Sequence, residues 1–234
     1  MKCPHWAIAC FLFAISTSSN ATLMFSEYVE GSSYNKALEL FNSEATSNIA
    51  LDEYAIDIYV NGATSPRYTI NLSGMLEAQG TFVIGNASAD ADITAVADML
   101  SGSLSFNGDD AITLVQNGVI VDRIGQIGVD PGTEWGTGLT STQDNTLRRN
   151  TDIVTGDINA LAAFDPVTQW QGFALDDFAN LGNHNVSAIV LPLPSEDSTA
   201  VPLPGSGALI LMGLLPLLLN GVMRPRRSAG PVAA

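Results

Sequence analysis

The stretch "FNGDDAITLVQNGVIVDRIGQIG", residues 106–128, decides the fold. Two apolar runs, Ala111–Gln116 and Val119–Ile124, flank Asn117-Gly118. Asn-Gly at that place is the strongest short signal for a β-hairpin, because both residues accept the positive φ of a tight turn. Upstream, Asn107-Gly108 and the adjacent acids Asp109-Asp110 open the stretch. The reading is a loop feeding a hairpin, with the acids accepting backbone N–H groups to order that loop. Calcium is the competing reading. It takes roughly six to eight oxygens, with carboxylates and carbonyls mixed. Asn107, Asp109 and Asp110 offer some of them, but no EF-hand spacing is present. Catalysis fits worse. Sequence neighbours on a strand point to opposite faces, whereas two catalytic carboxyls must face each other across a substrate.

Working outward, short strand signals recur. "YAIDIYV" (54–60) sets Ile56, Ile58 and Val60 on one face, the alternation of a half-buried strand, and Asn61-Gly62 closes it. Residues 23–29, 36–41, "RYTINL" (67–72), "TFVIG" (81–85) and 170–173 add further strands. Helical spacing appears only over Asp92–Leu100. Short strands separated by Gly and Asn turns predict an all-β sandwich. Its single core should hold Ile56, Ile58, Val60, Ile112, Leu114, Ile120 and Ile124.

The two ends read differently from the body. Residues 1–21 carry one Lys, a short apolar run and a small-residue finish at Ser19-Asn20-Ala21, the pattern of a secretory signal peptide. From Gly205 to Met223 there is no charge, and Arg224, Arg226 and Arg227 follow at once. That length suits a transmembrane helix, and the basic cluster would hold its end in the cytoplasm. Cys3 and Cys10 both lie in the signal segment, so no disulfide or thiolate chemistry is expected of the body. Between Thr22 and Ala200, 24 acids meet only Lys36, Arg67, Arg123, Arg148 and Arg149, a net charge of −19. Such a body repels nucleic acid.

The tail resembles the PEP-CTERM sorting signals of Gram-negative bacteria in their Val-Pro-Leu-Pro variant. Val201, Pro202, Leu203 and Pro204, the apolar helix, and Arg224, Arg226 and Arg227 match in order. Leu203 stands where the commoner form has Glu. The resemblance implies secretion across the inner membrane, membrane anchoring, and processing by an exosortase-like enzyme. The product would then be attached to the cell surface or released.

The body resembles the bacterial lamin-tail domain. The resemblance rests on "FSEYVEGSSYNKALELFN" (25–42), "FNGDDAITL" (106–114), "VDRIGQIGVDPGTEWG" (121–136), "TLRRN" (146–150) and "WQGFALDDFANLGNHN" (170–185). It implies an immunoglobulin-like β-sandwich without catalytic activity. The expected organisation is a signal peptide (1–21), a lamin-tail-like domain (22–190) and a linker (191–200). The sorting motif, helix and basic cluster (201–227) and a short tail (228–234) follow.

Chemistry-bearing residues are sparse. His184 is the one His of the body, so a His-activated nucleophile is not expected. The adjacent acids Asp52-Glu53 and Asp176-Asp177 carry the same objection as Asp109-Asp110. Lys36 and Glu39 read as an ion-pair element or as solvated strand residues. Trp135 and Trp170 read as packing, with a sugar-stacking platform as the alternative. The expected function is a non-catalytic surface or extracellular interaction module. Its expected partners are an extracellular polysaccharide, in a matrix or biofilm setting, or a surface protein. The competing class is a secreted carbohydrate-active or calcium-dependent enzyme using carboxylates alone.

Overall fold

The computed structural model describes residues 22–186. The signal segment, the linker and the sorting motif of Val201–Pro204 and Arg224–Arg227 lie outside the described residues.

In chain order the strands are β1 (Leu23–Glu30), β2 (Lys36–Asn42), β3 (Ile49–Ala50), β4 (Tyr54–Tyr59), β5 (Tyr68–Asn71), β6 (Met75–Leu76) and β7 (Thr81–Asn86). After a single helical turn, α1 (Ala91–Thr94), come β8 (Met99–Ser101), β9 (Ala111–Gln116) and β10 (Val119–Ile124). The last four are β11 (Gly136–Thr137), β12 (Thr140–Ser141), β13 (Thr146–Arg149) and β14 (Trp170–Phe173). A six-stranded sheet runs β14-β13-β1-β2-β7-β8, and a four-stranded sheet runs β10-β9-β4-β5. All their pairings are antiparallel except β7 with β8.

The core lies between these sheets. Phe25, Tyr28, Leu38, Leu40, Ile84 and Leu147 of the larger sheet meet Ile56, Ile58, Ile112, Leu114 and Ile124 of the smaller one. The arrangement is consistent with an immunoglobulin-like fold. The hairpin β9–β10 forms where Asn117-Gly118 predicts it, with φ of 49° and 80°. Two core assignments differ from expectation. Val60 is only partly buried, at the edge of the core. Ile120 is also only partly buried, because β10 has a bulge between Ile120 and Asp122. The extra residue there shifts the register by one, so Ile120 leaves the inner face and Val121 joins the core.

The helix expected over Asp92–Leu100 is also corrected. Only Ala91–Thr94 is helical, and Met99–Ser101 is β8. Asp98 causes the break. Its backbone N–H donates to Val83 O at 2.9 Å, and its carboxylate accepts from Val83 N at 2.8 Å. The chain is thereby clipped onto β7 before a second helical turn can form.

Candidate functional site

The loop of the opening stretch is closed by Asp110. Its Oδ2 accepts the N–H of Asn107 at 3.0 Å, and its Oδ1 accepts the N–H of Asn61 at 2.9 Å. Asp110 therefore ties its own loop to the turn after β4. Burial raises its pKa, and the two N–H bonds oppose that rise. The Asn107 side chain is exposed. Asp109 is half-buried and its Oδ1 has no hydrogen-bond partner, so the loop-ordering role expected of both acids falls to Asp110. Among the described residues, no group of three or more His, Cys, Asp and Glu is placed to hold a metal ion.

A second acid does more for the fold. Asp122 sits at the bulge of β10 and faces the larger sheet. Its carboxylate accepts from Phe25 N, Arg123 N and Asp157 N, each at 2.8 Å. Arg149 Nη2 donates to both of its oxygens at 2.8 Å. Both side chains are fully buried. Phe25 stands where β1 itself is bulged, so the carboxylate takes an N–H that the strand ladder has released. Gly156 lets Asp157 come this close, since a Cβ there would lie 2.2 Å from Val121 O. Burial pushes the Asp122 carboxyl up and the Arg149 guanidinium down, and their mutual attraction opposes both shifts.

Alternation along each strand gives the neighbouring residues the opposite task. Arg123 turns away from Asp122 and binds Asp157, Gly125 O and Ala162 O, holding the 157–163 loop against β10. Arg148 turns away from Arg149 to the outer face of the larger sheet. There it lies in a cross-strand row with Glu27 of β1 and Glu39 of β2. Arg148 Nε approaches Glu27 Oε1 to 3.2 Å, close enough for an ion pair but misaligned for a hydrogen bond. Its Nη2 reaches Asp177 Oδ1 at 2.7 Å.

The segment from Ala174 to His184 straps this row. Asn180 Nδ2 donates to Glu27 at 3.2 Å, and Gly182 N donates to Glu39 at 2.7 Å. Ser26 Oγ donates to Glu39's other oxygen at 2.5 Å. Leu181 of the strap closes a small second core with Val29, Ala37, Val83 and Ile93. Burial raises Glu27 to about 7 against the opposing charge of Arg148, and burial raises Glu39 too. Each Glu reads in the sequence only as a charged residue alternating with apolar ones. Nothing there shows that a strap covers them.

Lys36 and Glu39 do not pair with each other. Lys36 binds Glu30 at 2.9 Å and the carbonyls of Gly31 and Ser33. Both residues are buried, which overturns the solvated reading. Trp135 and Trp170 are buried as packing residues, and Arg149 stacks over Trp170 at 4.6 Å. His184 packs on Phe41 with ring centroids 4.7 Å apart. Burial, reinforced by the charge of Arg149, lowers its pKa to about 4. Asp176 accepts from the N–H and hydroxyl of Ser32, and Asp177 binds Arg148.

Two open cavities lie at the surface. One, of about 340 Å³, includes Glu44 and Glu53 in its lining. The other, of about 270 Å³, lies between the end of β13, the outer face of β14 and the strap.

Residues 16–128 match the Lamin Tail Domain. This supports the lamin-tail resemblance for that segment. The match ends at Gly128, yet the sheet does not. β13 pairs with β1, and Arg149 closes on Asp122, so residues beyond the lamin-tail match complete the same sandwich. No curated protein matches the chain.

Proposed function

We infer that this chain is a non-catalytic interaction module of lamin-tail type, which acts outside the cell after sorting to the envelope. The observation that carries the reading is the direction of the ionic groups. Asp122 and Arg149 bind sheet to sheet, and Glu27, Glu39 and Arg148 bind sheet to strap. Residues that would be reactive in an open cleft are used here to join layers. What remains outside is acidic: Arg67 is the exposed base among the described residues. An acidic exterior suits a soluble extracellular protein.

The sequence of the two ends supports the route. A signal peptide exports the chain, and the apolar helix with its Arg cluster holds it until an exosortase-like enzyme cuts near Val201–Pro204. A matrix of extracellular polysaccharide is the setting this route implies. Intact-mass measurement of the protein from its native host tests the route, and loss of both ends is expected. A full-length mass would overturn it.

The enzyme reading has one observation in its favour, the cavity that holds Glu44 and Glu53. Glu53 is exposed there, with its carboxylate held by Gln116 Nε2 at 2.9 Å.

A further inference from the structure

We propose that the residues just past the strap, Ser-Ala-Ile at 187–189, dock on the outer face of the larger sheet over Met24 and Phe41, with Ile189 as the anchor.

Met24 of β1 and Phe41 of β2 are cross-strand neighbours. Alternation along β2 sends Leu38 and Leu40 into the sandwich core and Ala37, Glu39 and Phe41 to the outer face. Met24 shares that face through its register with Phe41. Both side chains therefore point away from the core, yet they are 0% and 1% exposed. Large apolar side chains on an outer face are withdrawn from water only when another segment lies over them.

The path of the strap names that segment. It follows β2: Leu181 packs with Ala37, Gly182 N donates to Glu39, and the His184 ring lies on Phe41. Asn185 then lines the same cavity as Thr151, just past the end of β13. Between β2 and β13 lies β1. A chain passing from Phe41 to the end of β13 crosses β1 near its start, where Met24 stands.

One imidazole is too small to cover both side chains. Ala188 and Ile189 are the next apolar residues, and the first acid after the strap is Glu196. Three residues reach up to about 10 Å, and the neighbouring strand is only about 5 Å away. A second copy of the chain fits less well as the cover. Each copy carries −19 between Thr22 and Ala200, and like charge opposes their approach.

The test uses the full-length chain in detergent micelles, with methionine methyls and isoleucine δ1 methyls carbon-13 labelled. An NOE from the Ile189 δ1 methyl to the Met24 methyl or the Phe41 ring is expected. Its absence overturns the proposal. So does an NOE that arises only between chains in a mixed-isotope sample, which would give the cover to a second copy. Peroxide oxidation reads the same contact by mass. Met24 should oxidise slowly beside Met75, which is 61% exposed. Ile189→Asp should bring Met24 toward the Met75 rate. Met99, half-buried in β8, should keep its own rate and so report an intact sheet. An unchanged Met24 rate in this variant would give the cover to residues 151–154 and overturn the proposal. Should Met99 accelerate as well, the variant has unfolded, and the NOE in the unaltered chain decides.

Discussion

At the scale of single residues, the acids of this chain divide by what they bind. Asp110 gathers two backbone N–H groups and orders a loop, while Asp122 gathers three and an arginine and joins two sheets. Removing one partner of a buried ion pair strands the other charge, which costs about 3–5 kcal/mol. Asp122→Ala should therefore destabilise by about that much in urea unfolding. A loss under about 1 kcal/mol would mean that the carboxylate does not hold the sheets together. The loop-ordering role of Asp110 makes a different forecast for the acidic pair Asp109-Asp110. Calcium and sodium at matched ionic strength should shift Tm equally, because both act only by screening. A calcium-specific rise that disappears in Asp109→Asn would instead establish a metal site.

At the scale of elements, the strap couples two shifted titrations to the fold. Glu27 beneath it is raised from 4.5 to about 7 by burial. The folded state therefore holds this proton more tightly than the unfolded chain. The group's stabilising contribution is complete below pH 4.5 and is lost as pH rises through about 7. His184 in the strap works in the opposite sense. Its pKa is lowered from 6.5 to about 4, so its contribution is present above pH 6.5 and lost as pH falls through about 4. Stability should then fall from pH 5 to pH 8 by on the order of 1–3 kcal/mol through Glu27. Glu27→Gln, which keeps the shape without the titration, should flatten that fall. An unchanged slope in this variant would assign the pH dependence to another group.

For the whole molecule, inward-turned ionic groups leave little with which to do chemistry. No turnover of glycans, phosphoesters or nucleic acid is expected from the purified protein, because a nucleophile or water needs a base that can reach it. Glu27 and Glu39 are completely buried. Among the described residues, the cavity lined by Glu44 and Glu53 is an arrangement that could contradict this. Reproducible hydrolysis abolished by Glu53→Gln would move the protein into the enzyme class.

The sequence by itself determined the all-β class, the β9–β10 hairpin and most of the inner faces. Those features depend on local rules: Asn-Gly at a tight turn, and alternation with a period of two. Asn117-Gly118 and the Ile56–Ile58 alternation could be read without any knowledge of distant residues. Ile120 could not, because a bulge inserts one residue without a mark in composition and reverses every face beyond it. The extended helical pattern of 92–100 gave way to a long-range clip between Asp98 and Val83. Only the tertiary structure decided that Glu27 and Glu39 lie under a strap contributed by residues over 130 positions later. It also decided that Asp122 meets Arg149. Each of these depends on where a remote segment comes to rest. A residue's type states what it can bind, and only the fold states what it will meet.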